Sequence, residues 1–538
     1  MHYILLQFLI LLSAAFLLIM LAQKVKISYP IFLVLAGLAI SFIPGIPVIT
    51  IDPDMIFLIF LPPLLYEAAW YTSWNDFWRW KRPISLLAFG LVIFTSGIVA
   101  FLSNSMIPGF TMAMGFLLGG IVSPPDAIAA TSVLKNIQIP KRINTILEGE
   151  SLVNDASSLI VLRFALVAVT TGQFSLGEAT VEFFVSTVMG VTIGLAIAHL
   201  FYVIHRFLPT TPSIDAAFTL IAPYFMYLVA EHFEFSGVMA VVSGGLFLSY
   251  RSHEIFSDGQ SRLQTINVWS TLVVILNGLV FILIGLELPV IVDGLEGYSL
   301  TEAWGYGLLI SAVVIVIRVL WIYPAAFIPR WLSSKIRRKE VAPGWKGPLV
   351  IGWAGMRGVV SLAAALSLPL TISEGVAFPH RNLIIFITFV VILVTLVFQG
   401  LTLPFLVKTI KLSEIDPIAP EGQQEASIKA RLIEVSLKRL EEHYSDQTMS
   451  IDLIQSLKND LNTRLSHVSD RLQSMECEEI ESAEMDVYNE VLIDLYHIQR
   501  RELFKIRKER IYSDEVIRKQ EMQLDLSDTK IARKNNKH

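Results

Sequence analysis

The segment EGESLVND, residues 148–155, places three carboxylates, an amide and a hydroxyl within eight positions. On a helix, Glu150 lies one turn before Asn154, and Ser151 lies one turn before Asp155, so these side chains share one face. Oxygen ligands of this kind suit hard cations such as Na⁺, and a carboxylate can hold H⁺ instead. Because the segment opens a long apolar run, it predicts an ion site inside a membrane-spanning helix.

Charged residues are distributed unevenly along the 538-residue chain, which is 54% apolar and 17% charged. Residues 1–411 contain 23 Lys/Arg and 21 Asp/Glu, whereas residues 412–538 contain 19 and 26. A soluble globular chain carries about a quarter charged residues. Residues 1–411 are therefore predicted to form a polytopic membrane domain embedded in the lipid bilayer, and residues 412–538 a charged soluble tail.

A membrane-spanning helix needs about twenty mostly apolar residues, and thirteen apolar runs are candidates. They are residues 3–22, 30–47, 55–72, 83–103, 111–134, 146–170, 182–207, 213–232, 236–250, 268–290, 304–328, 347–372 and 382–410. This pattern predicts an all-α polytopic membrane protein with about 13 transmembrane helices.

The positions of lysine and arginine predict the orientation of these spans. Counting from the loop after the first span, alternate loops hold seventeen Lys/Arg, and the opposite loops hold only Arg381. Since cytoplasmic loops accumulate Lys and Arg, the N-terminus is predicted outside and the tail in the cytoplasm.

Composition excludes several other classes of protein. The single cysteine, Cys477, allows no disulfide framework and no cysteine metal site. Neither half of the chain has the basic excess of a nucleic-acid binder. A membrane hydrolase needs a nucleophile beside a base, and Ser151 has no histidine in its span. We therefore predict no enzyme, no cofactor and no nucleic-acid partner.

Two of the predicted spans are interrupted. The fifth contains Gly119, Gly120 and the run Ser123-Pro124-Pro125, and the twelfth opens with three glycines at positions 352, 355 and 358. Such paired interruptions are typical of transporters built from inverted repeats, whose unwound helices form the ion site. Ordinary packing glycines and a proline kink are the alternative explanation.

Arg357 lies inside the second interruption and has an expected electrostatic role. It can neutralise a buried carboxylate or the exposed carbonyls of an unwound helix end. Its expected partner is Glu150 or Asp126, and the sequence does not decide between them.

Other charges within the spans carry weaker expectations. Arg163 is expected to snorkel or contact a lipid headgroup, and Arg318 to pair with Glu67 or Glu287. Glu67 is either a pathway residue or a structural partner. Glu148 is expected in the first helical turn at the cytoplasmic surface, where acids favour the positive end of the helix dipole.

Four blocks of sequence resemble one known family. They are FLPPLLYE at 60–67, SPPDAIA at 123–129, EGESLVNDA at 148–156 and GWAGMRGVVSL at 352–362. In this order they resemble the monovalent cation:proton antiporters, a family that includes bacterial sodium/proton antiporters and animal sodium/hydrogen exchangers.

The resemblance implies a homodimer of thirteen-helix protomers, in inverted repeats with two broken crossing helices. It implies a site for Na⁺ or another alkali cation at Asp155, Ser151 and Glu150. Asn154 and Asp126 also take family positions at the cation and proton site, and Arg357 is their electrostatic partner. The chain departs from the usual Thr-Asp-Pro at the first break, which leaves Ser123 as the candidate substitute for the threonine.

The function implied is secondary exchange of Na⁺ for H⁺ across the cell membrane, contributing to pH and sodium homeostasis. Asp155 would bind either ion, and only the loaded protein would switch its opening. An aspartate replaces Asn154 in electrogenic relatives, so exchange of one cation for one proton is implied. The alternatives are K⁺/H⁺ exchange and a cation channel that uses the same buried acids.

The tail contains an amphipathic helical pattern over residues 454–472 and a basic cluster at residues 500–510. Two interpretations remain open. The tail is either a helical appendage that packs on itself or its dimer mate, or a regulatory domain that senses pH or a partner.

Overall fold

The computed structural model describes residues 2–43, 53–135, 137, 139–172, 176–256, 259–295, 297–373, 376–412, 421–444, 452–474, 495, 498 and 499. The chain divides into two compact units, Met1–Asp416 and Pro417–His538.

Helices account for nearly all regular structure in the first unit. Its N-terminal part contains α1 (His2–Val25), α2 (Tyr29–Ser41), α3 (Pro53–Tyr71), α4 (Trp74–Arg79), α5 (Lys81–Ser85), the π-helical turn π1 (Leu86–Leu91), α6 (Val92–Met106), α7 (Met112–Val122), α8 (Ala127–Leu134), α9 (Lys141–Thr171), α10 (Leu176–Phe207), α11 (Pro212–His232) and α12 (Gly237–Tyr250).

The unit continues with α13 (Ser252–Ile255), α14 (Gly259–Leu286), α15 (Leu288–Asp293), α16 (Leu300–Leu332), α17 (Ser334–Lys339), α18 (Lys346–Trp353), α19 (Val359–Leu366), β1 (Thr371–Ser373), β2 (Val376–Ala377), α20 (Arg381–Val394), π2 (Thr395–Gln399) and α21 (Gly400–Ile410). Strands β1 and β2 pair antiparallel, with Thr371 opposite Ala377. This short hairpin stands beside helices that form nearly all the regular structure of the described residues.

Nine helical segments among the described residues are long and apolar enough to cross a membrane. The prediction of a polytopic helical membrane protein is therefore confirmed. The number of thirteen spans stays a prediction, because α2 and α12 are shorter than these segments. The fifth and twelfth predicted spans are each divided into two short helices.

Two clusters of buried apolar side chains hold the first unit together. One includes Leu117 of α7, Phe281 of α14 and Phe386 of α20. The other includes Met226 of α11 and Val241 of α12 and extends to α3. Lipid tails are as apolar as these side chains, so close packing rather than transfer from water stabilises the helix contacts.

The second unit contains α22 (Glu421–His443) and α23 (Asp452–Ser474), which pack against each other. The Lys458 ammonium lies 3.0 Å from the Glu441 carboxylate across this contact. The predicted amphipathic pattern at 454–472 lies within α23. Cys477 and the basic cluster at 500–510 lie outside the described residues.

Candidate ion-binding site

The first helix interruption separates α7 from α8. The end of α7 is followed by two prolines, Pro124 and Pro125, which lack the N–H that continues a helix and restrict the residue before them. Asp126 then starts α8 as its N-cap, where its Oδ1 accepts the Ile128 N–H at 2.8 Å. The break therefore presents unpaired backbone groups and a carboxylate at one place.

The second interruption separates α18 from α19 at the segment Ala354-Gly-Met-Arg-Gly358. The two breaks touch directly, because the Asp126 N–H donates to the Met356 carbonyl at 2.6 Å. Gly358 lies so close to Asp126 that a Cβ at this position would overlap the carboxylate. A glycine is needed here for close approach rather than for an unusual backbone angle.

Arg357 is buried where the two breaks meet, and it binds carbonyl groups. Its Nε donates to the Val122 carbonyl at the end of α7 at 3.0 Å, and its Nη1 donates to the Gly355 carbonyl. Its own N–H donates to Thr395 Oγ1 at 3.0 Å. The guanidinium thus compensates the negative ends of two helices. The prediction that Arg357 pairs with Glu150 or Asp126 is corrected, since its hydrogen bonds go to carbonyls.

Glu150 is paired with Arg318 instead. Two hydrogen bonds of 2.5 and 2.8 Å join the Arg318 guanidinium to the two oxygens of the carboxylate, and the residues are 0% and 1% exposed. The expectation that Arg318 pairs with Glu67 or Glu287 is therefore also corrected. A carboxylate with both oxygens bound to one guanidinium is a structural partner of α16.

Helix α9 is attached to the first break by the two polar residues predicted to flank Asp155. Asn154 donates from Nδ2 to the Pro125 carbonyl at 3.1 Å, and Ser151 Oγ accepts the Ala127 N–H at 3.3 Å. Both bonds satisfy backbone groups that the interruption leaves unpaired. They also hold Asp155 next to the crossing point.

A cavity of about 290 Å³ lies beside the crossing helices. Carboxylates and hydroxyls from four helices and the first break line it, together with Gly358 of the second break and apolar side chains. The acids, serines and threonines among them are Glu67, Asp126, Thr131, Glu148, Ser151, Asp155 and Ser361. The cavity is large enough for a hydrated cation and several waters.

Asp155 is more deeply buried than Glu67, Asp126 and Glu148, the other acids that line the cavity. It is 7% exposed and lines the cavity. Among the described residues, no hydrogen-bond donor or cation is paired with its carboxylate, whereas Asp126 accepts a backbone N–H and Glu148 accepts from Asn144 at 2.6 Å. Both oxygens of Asp155 therefore remain free to bind an ion.

The structure brings together most of the predicted site residues. Asp126, Ser151 and Asp155 line one cavity with Glu67. Asn154 does not line it but joins α9 to the first break through the Pro125 carbonyl. Two predicted members lie elsewhere. One of them is Glu150, whose carboxylate is bound by Arg318. The other is Ser123, whose hydroxyl donates to the Gly120 carbonyl at 3.3 Å.

Three lining residues escaped the sequence analysis of the site. Thr131 lies in α8 and Ser361 in α19, each about one helical turn after a break. This spacing from the breaks is visible in the sequence and could have indicated both residues. Glu148 was expected in a first helical turn at the surface, but α9 begins at Lys141, so Glu148 lies two turns further along and faces the cavity. Arg163 forms an ion pair with Glu231.

The donor set suits a hard cation. Carboxylate and hydroxyl oxygens are ligands of hard cations. Within the described part of the chain, no cluster of three or more His, Cys, Asp or Glu side chains forms a transition-metal site. Carboxylates and hydroxyls in this arrangement can bind a cation electrostatically and exchange protons.

Replacing Gly358 with alanine is expected to disrupt the crossing of the two breaks. The new Cβ would overlap the Asp126 carboxylate, and such overpacking costs about 1–3 kcal/mol. We expect a lower melting temperature of the purified protein. Gly97→Ala in α6 is the matched control, because a Cβ there meets no atom within 4 Å. An unchanged melting temperature for Gly358→Ala would contradict the contact.

A helical membrane domain with two interrupted helices that cross beside an acid-lined cavity defines the class of ion-coupled secondary transporters. The sequence profile of the family "Sodium/hydrogen exchanger, transmembrane" matches residues 11–409. The chain therefore belongs to the sodium/hydrogen exchanger family.

Individual relatives agree with this family. A "Sodium, potassium, lithium and rubidium/H(+) antiporter" of Bacillus pumilus is 30% identical over 450 residues, covering 82% of this chain and 66% of that protein. This chain thus spans just under two thirds of that relative. The "Low-affinity Na(+)/H(+) antiporter NhaS1" of Synechocystis is 33% identical over 413 residues, covering 76% of this chain and 75% of that protein.

A solved structure shares the fold. The sodium proton antiporter MjNhaP1 of Methanocaldococcus jannaschii superposes with a TM-score of 0.56 at 21% identity, covering 73% of this chain and 97% of that one. At this identity the similarity establishes the architecture alone.

Proposed function

We propose that this protein exchanges Na⁺, or another alkali cation, for H⁺, with Asp155 as the carboxylate that binds either ion. The observation that carries the proposal is the unpartnered Asp155 in the cavity beside the crossing breaks. Ser151 and Asp126 supply further oxygens at this cavity, and Asn154 fixes the orientation of α9. Membership of the sodium/hydrogen exchanger family supports the same activity.

Competition for one carboxylate explains why the two fluxes would be coupled. Na⁺ and H⁺ neutralise Asp155 equally, so a cation that leaves is replaced by one proton and no net charge moves. An empty site leaves a buried negative charge, which is costly inside the membrane domain. Only the loaded protein then changes its opening from one side to the other, as alternating access requires. Arg357 and the Arg318–Glu150 pair would hold the breaks together through this change.

The remaining architecture of the proposal follows from the sequence. It comprises thirteen spans in inverted repeats, a homodimer in the plasma membrane, an external N-terminus and a cytoplasmic tail that starts near residue 412. In this arrangement the protein serves pH and sodium homeostasis, with no cofactor and no catalytic step. The regulatory role of the tail stays a prediction.

The cation is tested by measuring proton movement in everted vesicles against Na⁺, Li⁺ and K⁺ at equal concentrations. We expect Na⁺ to dissipate the proton gradient at least several-fold faster than K⁺. The Bacillus pumilus relative is named for potassium as well as sodium. A faster response to K⁺ would therefore replace sodium/proton exchange with the alternative of K⁺/H⁺ exchange.

A cation channel that uses the same acids is distinguished by current. We expect no steady current in a planar bilayer under a Na⁺ gradient, because the proposed cycle moves no net charge. Exchange in vesicles should also be unaffected when the membrane potential is clamped to zero. A current carried by Na⁺ alone would reject exchange, and dependence on the clamp would reject the one-to-one ratio.

A further inference from the structure

Ser361 brings an oxygen atom from the second interrupted helix to the ion cavity. It lies in the first turn of α19, three residues after Gly358, and it lines the cavity while being only 2% exposed. The acids of the same cavity belong to α3, to α9 and to the first break. Ser361 therefore faces these carboxylates from a different element of the fold.

The hydroxyl of Ser361 has no hydrogen-bond partner among the described residues. Serines and threonines inside helices commonly donate to a carbonyl three or four residues earlier. Ser311 donates in this way to the Gly307 carbonyl at 2.7 Å, and Thr131 to the Ala127 carbonyl at 2.8 Å. Ser361 does not make this bond, so both its oxygen and its proton are available at the cavity.

The location of this hydroxyl distinguishes it from other unpaired groups. Six buried hydroxyls in the described part of the chain lack a partner, and Ser361 is the one that lines the ion cavity. The other five are those of Tyr66, Ser96, Ser103, Thr187 and Thr265. Burying a polar group without a partner is unfavourable, and an ion is one of the partners that can compensate it.

The other hydroxyls of the cavity are already engaged by the protein. Ser151 Oγ accepts the Ala127 N–H at 3.3 Å, and Thr131 gives its proton to its own helix. Hard cations bind several oxygen ligands at once, so a cation held by the Asp155 carboxylate needs further oxygens. Ser361 provides an uncharged oxygen that no described protein group uses.

We propose that Ser361 is a ligand of the transported cation and favours cation over proton at the site. This inference rests on the proposed exchange of an alkali cation for H⁺ at Asp155. A proton that binds the carboxylate forms a covalent O–H bond and needs no second oxygen ligand. The hydroxyl of Ser361 therefore strengthens binding of the cation and leaves binding of the competing proton unchanged.

The test compares Ser361→Ala with the parent chain, as full-length proteins in proteoliposomes. We expect the KM for Na⁺ to rise about tenfold, the effect of losing one polar contact to a charged ligand, at an unchanged maximal rate. Competition at one carboxylate multiplies the KM for Na⁺ by a factor that depends on pH. Since this factor is the same in both proteins, the ratio of their KM values should be equal at acid and alkaline pH.

Two further variants separate the oxygen ligand from packing. Ser361→Cys keeps the size of the side chain but presents sulfur, a soft ligand, and should raise the KM as Ser361→Ala does. It also provides the measurement if Ser361→Ala does not fold. Ser311→Ala is the matched control, because Ser311 is buried in α16 and does not line the cavity. Its KM for Na⁺ should equal that of the parent chain.

Binding is measured separately, as the rise in melting temperature of the purified proteins with Na⁺ at ionic strength held constant by choline. The half-saturating Na⁺ concentration should also be about tenfold higher in Ser361→Ala. Unchanged KM and half-saturation in this variant would overturn the role of Ser361. A KM ratio that varies with pH would do the same, because the hydroxyl would then act on the proton of the carboxylate.

Failure of the proposed function gives a different result. A parent chain that is stabilised by Na⁺ but moves no protons in response to it would reject exchange. The shift in half-saturation between the parent and Ser361→Ala would then still decide whether Ser361 binds the cation. A parent chain that neither binds Na⁺ or another alkali cation nor exchanges it would reject both.

Discussion

Asp155→Asn is expected to reduce cation-dependent proton movement in everted vesicles to the level of vesicles without the protein. The amide keeps the size of the side chain but neither releases a proton nor balances the charge of a cation. Since Asp155 has no partner among the described residues, its replacement breaks no contact that holds the fold. The purified variant should therefore keep the melting temperature of the parent protein within a few degrees. Dye-based proton flux and thermal unfolding measure the two quantities.

Asp293→Asn is a suitable control for this variant. Asp293 lies at the end of α15 and does not line the cavity, so its exchange rate should equal that of the unmodified chain. Normal exchange by Asp155→Asn would remove Asp155 from the mechanism. A large fall in melting temperature would instead show that the carboxylate has a structural role.

The parts of this fold that depend on local chemistry can be predicted from the sequence. Prolines 124 and 125 lack the N–H that continues a helix, which favours the first break. Pro62 and Pro63 lie inside α3 without ending it, so a pair of prolines predicts a break only together with the polar residues that follow it. The three cavity residues Ser151, Asp155 and Asp126 also follow local rules, because helical spacing and an N-cap decide where their side chains point.

The choice of charge partners could not be predicted in this way. Glu150 meets Arg318, which is 168 positions away, and this contact depends on how α16 packs against α9. Arg357 was the natural candidate because it lies beside a break in the sequence. In the structure the two breaks meet and expose carbonyls after α7 and after α18, and these accept hydrogen bonds from the guanidinium. Sequence spacing predicts the face of a helix, whereas tertiary packing determines what that face meets.

The hydroxyl groups near the site show the same contrast between sequence spacing and tertiary packing. Ser123 precedes Asp126 closely and was the candidate for an ion-binding hydroxyl, but its side chain turns back onto the carbonyl of Gly120. Thr131 and Ser361 reach the cavity instead. Ser and Thr bond readily to carbonyls three or four residues earlier in a helix, so proximity in sequence is a weak guide to their role.

Removing one member of the Glu150–Arg318 pair is expected to cause the largest loss of stability in the protein. Glu150→Gln leaves the Arg318 charge buried and unpaired, and Arg318→Gln does the same to Glu150. Breaking a buried ion pair from one side costs about 3–5 kcal/mol. The double variant Glu150→Gln/Arg318→Gln should recover much of this loss, because no isolated charge remains. Thermal unfolding of the four proteins gives the coupling energy.

This cycle also separates two roles for Glu150, the cation ligand expected from the family resemblance and the structural partner seen in the geometry. A ligand would lose exchange in Glu150→Gln at nearly unchanged stability, and the double variant would be equally inactive. A structural partner loses stability first, and restoring it in the double variant restores exchange. Asp76→Asn provides the comparison, because its partner Lys141 is exposed to solvent and such a pair should contribute about 1 kcal/mol or less. Additive effects in the Glu150 and Arg318 variants would refute the pairing.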